Sequence, residues 1–350
     1  MIDFRYHLVS IVAVFLALAI GIVLGATNLR GGTLDLLQTT NDSLKNQLTA
    51  AQAEREGYLN QASAAEQFLQ SAEPTLLARQ LDGDKVVIVT EPGAQGSVVD
   101  GVKQAVTLAG GTVTGEVALQ PKFNDISGAN QSSLSGINNS VASSNGTTLT
   151  AGSNPQTTYQ QQAAQLIANA ILATSTTAVE PTDTQSLLSA YAQGGYLTVS
   201  PSGAPTAPAQ LAVIVTPQSA PADGQNDPAN QVLLAVAQEF AGASSATLVA
   251  GSFTGSAQSG SAMSVLRSSS VSSQVSTVDD ADLTLGQITV VDALAYQLAG
   301  KKPNSYGISG ASAVNPVPLP TPTSTSTATS TPTSTTTPHS TTTRKAGAKK

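Results

Sequence analysis

The densest group of side chains able to do chemistry is Val278-Asp-Asp-Ala-Asp282, with three carboxylates in four residues. Oxygen donors of this kind suit hard divalent cations, so Asp279, Asp280 and Asp282 are the candidate metal ligands. The competing role is structural: a carboxylate just ahead of a helix caps its free amides and complements its dipole, and Asp280 or Asp282 stands where the last helix should begin. A second candidate is Thr90-Glu-Pro-Gly-Ala-Gln-Gly-Ser97, a strand-to-helix turn where α/β folds hold phosphates, with Ser97 as the expected N-cap. It has neither the GxGxxG spacing nor a Walker lysine, and Glu91 would repel an anion. The turn therefore reads as an ordinary connection.

The inventory excludes whole classes of activity. The two histidines, His7 and His339, lie at opposite ends of the chain, and there is no cysteine. Neither a Ser-His-Asp nor a Cys-His arrangement can be assembled, no cofactor motif is evident, and the expectation is a protein that is not an enzyme. Between residues 31 and 343, nine basic side chains face twenty-one acidic ones. A phosphate-binding surface needs clustered lysine and arginine, and here they are scattered, so nucleic acid is not an expected partner.

The elements that must position these residues follow from periodicity. Lys85–Thr90 is a continuous β-branched run of the type buried on both faces of a sheet. A helix over about 97–109 and a strand over 112–119 complete a βαβ unit. Residues 122–158 are rich in Asn, Ser and Gly and read as an insertion or long loop outside the core. Helices follow at 158–173 and 183–193, then a short apolar stretch at 196–199. Strands at 211–215, 246–250 and 273–278 then alternate with helices at 228–241, 262–267 and 283–298. The fold class is α/β, a three-layer domain over about 83–300 with a mostly parallel sheet and right-handed crossovers.

The two ends of the chain differ from this body. From Leu8 to Thr27 no side chain is charged, and twenty helical residues span roughly the 30 Å apolar core of a bilayer. Residues 1–30 are thus expected to be a transmembrane anchor with the lipid bilayer as partner. The alternative, a cleaved signal peptide, fits the small residues Gly25-Ala26 but calls for a shorter apolar run. Ala13, Ala17, Gly21 and Gly25 recur every fourth residue, a small-residue ridge that lets two membrane helices pair.

Residues 31–73 then read as a coiled-coil stalk. Leu34, Asn41, Leu48, Arg55, Ala62 and Leu69 fall at a positions and Leu37, Leu44, Ala51, Tyr58 and Ala65 at d positions, which predicts a homodimer or higher homo-oligomer. The seam is weak, and a single amphipathic helix folded back on the domain is the alternative. Glu73-Pro74 should end or kink the helix. Residues 311–350, nearly all Pro, Thr and Ser from 316 to 343, are expected to be a disordered tail of extracellular character. That tail favours a single-pass topology with a cytoplasmic N-terminus and an extracytoplasmic body. By themselves, the residues suggest a dimeric envelope scaffold whose α/β domain binds a protein or cell-wall polymer.

Several segments together carry a more specific signal. Residues 1–25, Val86-Val-Ile-Val-Thr-Glu-Pro-Gly93, Val278-Asp-Asp-Ala-Asp-Leu-Thr-Leu-Gly-Gln287, Gln297–Lys301 and Tyr306-Gly307 resemble the actinobacterial copper transport protein B family known from mycobacteria. The resemblance covers about 1–120 and 185–310. It implies a membrane-associated role in copper transport or homeostasis, with efflux through the outer membrane and copper as the transported ion. Copper(I) prefers Cys, Met or clustered His, and this chain offers Met1, Met263 and two isolated histidines. Nor does the sequence show the repeated ten-residue alternation of a membrane barrel.

Overall fold

In the computed structural model, residues 4–173, 181–199, 205, 207–219 and 223–315 are described. The Pro/Thr/Ser-rich tail expected at 311–350 lies outside them from residue 316 onward. The chain opens with one helix, α1, Phe4–Leu77. It includes the apolar run Arg5–Ala26, which is long and apolar enough to cross a membrane and is not buried by any of the described residues.

The α/β body follows in the order β1 Lys85–Thr90, α2 Gly96–Leu108, β2 Thr112–Leu119, α3 Gly128–Asn145, α4 Thr158–Ile171 and α5 Pro181–Gln193. Then come β3 Leu197–Val199, β4 Leu211–Val215, α6 Pro228–Ala243, β5 Ala246–Ala250, α7 Phe253–Ser256, α8 Ala262–Ser268, β6 Ser276–Val278, α9 Thr284–Leu298 and β7 Ser305–Tyr306. The seven strands pair in the order β3-β2-β1-β4-β5-β6-β7. All neighbours are parallel except β2 and β3, which run antiparallel at one edge.

Continuous apolar runs make the central strands because both faces are covered. Every residue of β4 and β5 is buried. On one face Val87, Val89, Ala212, Ile214 and Val249 pack with α4, α6 and Phe123. On the other, α9 covers β5 and β6 and packs beside α2, whose Val98, Val102, Ala105 and Val106 are buried. These are the three layers read from the alternation of elements.

Three local expectations change. The segment 122–158 is not an excluded loop. It contains α3, and Phe123 and Leu134 in it are wholly buried. Composition misleads there because the inward face of α3 uses Asn130 and Asn138 at helical spacing with Leu134, Val141 and Ala142. Both asparagines are paired: Tyr196 Oη donates to Asn130 Oδ1 at 2.9 Å and Tyr191 Oη to Asn138 Oδ1 at 2.8 Å. Such satisfied amides bury without the usual penalty.

The second change is that α1 continues through Pro74 to Leu77. A proline this near the helix end removes one hydrogen bond, and Leu77 beyond it is buried. The third concerns the end of the sheet, where the strand expected at 273–278 shortens to Ser276–Val278 after a 3₁₀ turn at Ser270–Ser273.

The stalk does not fold back along its length. Residues 36–65 are exposed throughout, with Leu37, Leu44, Leu48 and Tyr58 of the heptad pattern all bare. Only Glu66, Leu69, Ala72, Glu73 and Leu77, spaced by three or four, turn toward the domain and meet α9 and α2. Leu69, an a position of the heptads, is therefore partly covered by the protein's own domain.

Candidate functional site at the carboxyl edge of the sheet

Open α/β sheets bind ligands beyond the carboxyl ends of their strands, at the point where the strand order reverses. Here β1 is followed on one side by β2 and on the other by β4, so the reversal lies between β1 and β4. The loops leaving these strands are tied together: Glu91 N–H donates to Val215 O at 2.9 Å, and Gln218 N–H to Gly93 O at 3.3 Å. Gly93 adopts φ 90°, and a Cβ there would stand 3.3 Å from Pro217 Cβ, so the loops meet closely because this position is glycine.

A cleft of about 340 Å3 opens beside this junction, over the ends of β1 and β2. Thr90, Glu91, Gly96, Lys103, Glu116 and Gln120 are among the residues that line it. Lys103 Nζ is 2.5 Å from Glu116 Oε2 and 4.0 Å from the exposed Asp100, so its charge is compensated.

Glu91 has no such compensation. It is 4% exposed, its Oε2 accepts only a long bond of 3.4 Å from Asn124 Nδ2, and its Oε1 has no partner. Burial pushes its carboxyl up to about 7, against the opposing hydrogen bond from Asn124. The turn read as an ordinary connection thus holds a buried carboxyl without a strong partner. Ser97 is not the N-cap of α2; Gln95 takes that place, with no side-chain bond to the helix.

The three aspartates of the other candidate are sent in different directions. Asp279, wholly buried, is 2.7 Å from Arg267 Nη1 and accepts backbone N–H groups of Ile308 and Ser309. Arg267 also donates to Thr277 Oγ1, Ser309 O and Tyr306 O, which fastens the segment after β7 to β6. Asp282 Oδ1 accepts the N–H of Phe253 at 2.8 Å, so it serves the start of α7 and not of α9. Asp280 is wholly buried with neither oxygen partnered, and burial with the neighbouring Asp279 raises it to about 6. Among the described residues no group of three His, Cys, Asp or Glu side chains is disposed to hold a metal ion.

Capping of α9 comes from elsewhere. Leu283 occupies its N-cap position without a side-chain bond, and Glu66 of α1 accepts from Thr284 N at 2.9 Å and Thr284 Oγ1 at 2.6 Å. Sequence spacing carries no signal for a cap supplied from 218 residues away. Of the small-residue ridge, Ala13, Ala17 and Gly21 are exposed on α1, and nothing lies within 4 Å of the position a Cβ would take on Gly21 or Gly25.

The relatives agree with the resemblance carried by the opening residues. A family described as copper transport outer membrane protein, MctB, matches residues 1–318. Copper transporter MctB of Mycobacterium tuberculosis is 32% identical over 324 residues, covering 90% of this chain and 99% of the relative. The protein of the same name from Mycobacterium bovis matches at the same identity and coverage, and that of Mycobacterium leprae at 30% identity.

Proposed function

The chain belongs to the MctB family of copper transport outer membrane proteins, and on that footing we propose that it is a membrane-anchored component of copper transport. The observation that carries this reading is the family match over residues 1–318, which takes in the apolar helix, the stalk and the whole α/β body. The apolar run Arg5–Ala26 supplies the anchor. In this reading the N-terminus is cytoplasmic and the body extracytoplasmic.

Two copies pair along the membrane helix, through the ridge Ala13, Ala17, Gly21 and Gly25. The seam continues into the exposed Leu37, Leu44, Leu48 and Tyr58, whose burial requires a second helix. Below Glu66 the stalk turns to its own domain, so pairing is confined to residues ahead of it.

The protein handles copper as cargo and without catalysis. Soft ligands suit copper(I), and the chain has no cysteine. Met263 is buried in the core at 1% exposure, and His7 stands on α1. Copper therefore passes without a tight resident site in the described body. Deleting the gene should raise cellular copper and lower copper tolerance, with both restored by the full chain. Unchanged copper content and tolerance would overturn the reading and leave an envelope scaffold in its place.

A further inference from the structure

We propose that residues 36–65 of α1 pair with a second copy of this chain as a two-stranded, parallel, in-register coiled coil, its register set by an ion pair from Arg55 of each copy to Glu54 of the other. This arrangement rests on the pairing proposed above and gives it a direction, a number of strands and a register.

Exposure defines the face that needs a partner. Residues 36–65 form roughly 45 Å of helix, exposed throughout, with Leu37, Leu44, Leu48 and Tyr58 between 59% and 65% exposed. An unsupported helix of this length is marginal in water, and an apolar stripe of period seven is buried by a second helix. The protein's own domain covers α1 only from Glu66 onward. Because α1 is continuous from Phe4 to Leu77, two chains anchored in one bilayer through Arg5–Ala26 send their stalks the same way. The pair is therefore parallel.

Charge then chooses the register. Among the described residues, none of Asp42, Lys45, Glu54, Arg55 and Glu56 is in an ion pair. In a parallel two-stranded coil, each a side chain enters a hole made by four residues of the facing helix. In register, the hole for Arg55 consists of Ala51, Glu54, Arg55 and Tyr58 of the partner subunit. Ala51 is small enough to admit the long side chain, and Glu54 supplies the opposite charge. Within each helix Tyr58 Oη donates to Glu54 Oε1 at 3.0 Å, which keeps that carboxylate beside the seam.

A slip of one heptad puts Arg55 of one copy among Leu44, Gln47, Leu48 and Ala51, and that of the other among Tyr58, Gln61, Ala62 and Ala65. Neither hole contains an acid, so both guanidinium groups lose their counter-ion in a partly dry seam. Asn41 acts in the same sense. In register it meets its own copy, and each amide can donate and accept; after a slip, one of the two faces Leu48. Two polar a positions also favour two strands, where an a side chain still reaches water at the edge of the seam.

The chain has no cysteine, so a single introduced one reports its own neighbour. Two differently tagged full-length chains made together should co-purify from membranes, and the detergent-solubilised parent should have the mass of two chains by light scattering. Diamide should join Ala51→Cys chains to one another but not Ala53→Cys chains, which point away from the seam. Leu44→Cys and Ala51→Cys chains made together should give no crossed product. Arg55→Glu and Glu54→Arg chains should each self-associate several-fold less than the parent, yet pair with each other as well as the parent does, since that meeting restores opposite charges. Tags that do not co-purify would remove the pairing itself together with this arrangement. Co-purification with equal crosslinking at Ala51 and Ala53, a crossed Leu44–Ala51 product, a mass of three or more chains, or charge variants that self-associate like the parent would overturn the arrangement and leave pairing through the membrane ridge standing.

Discussion

Arg267 and Asp279 show how a charged pair can be structural even where the sequence suggests a metal. The guanidinium is satisfied by Asp279, Thr277 and two carbonyls, and the carboxylate by Arg267 and two amides. Replacing Arg267 by Met leaves Asp279 charged and buried, which should cost about 3–5 kcal/mol in urea unfolding. Glu91 makes the opposite prediction. Its carboxyl titrates near 4.5 when exposed and about 7 in the fold, so the folded state holds the proton more tightly. Stability from this group is full below pH 4.5 and is lost as pH rises through 7. Glu91→Gln should thus stabilise the protein at pH 8 by up to roughly 3 kcal/mol and change little at pH 4, as read from unfolding midpoints at the two pH values. Asp280 and Asp292, both raised to about 6, act in the same direction.

Among the elements, α1 supplies α9 with a cap that α9 lacks in its own sequence. Glu66 satisfies the N–H and the hydroxyl of Thr284 and places a negative charge at the positive end of α9. Glu66→Ala should cost about 1 kcal/mol and speed amide exchange at Thr284 and the following turn, while residues of β4 keep their protection. Equal exchange in the variant and the parent would mean that α1 does not stabilise α9. The same contact explains why the stalk pattern is mixed. Residues ahead of Glu66 keep the seven-residue apolar repeat, whereas Leu69 and Leu77 obey the demand of the domain surface. Helix α3 illustrates a parallel effect, since its asparagines occupy positions where an apolar residue would have announced a core helix.

For the molecule as a whole, the soft thioether of the domain, Met263, is buried in the core, whereas the apolar side chains of α1 ahead of Glu66 are bare. If the small-residue ridge pairs the membrane helices, Gly21→Leu and Gly25→Leu together should reduce crosslinked dimer in membranes several-fold, because two larger side chains separate the backbones. Undiminished dimer would assign pairing to the stalk alone. The acidic body, with nine basic against twenty-one acidic side chains between residues 31 and 343, also favours cationic over anionic partners in general.

The alternation of strands and helices in most of the body, the buried character of β1, β4 and β5, the long apolar helix and the family were legible in the amino-acid sequence, whereas α3, α7 and β7 were not. Each depends on local chemistry: runs of β-branched residues, periodicity, and a distinctive opening motif. What the three aspartates do was not legible, because adjacent residues in an extended chain point to opposite faces and each finds a different partner. Nor could Glu91 be recognised as more than a turn residue before the pairing of β1 with both β2 and β4 was known. The reversal of strand order, the cap from Glu66 and the burial of Asn130 and Asn138 all join residues distant in sequence. Such contacts exist only once the sheet has formed, so tertiary structure alone decided them.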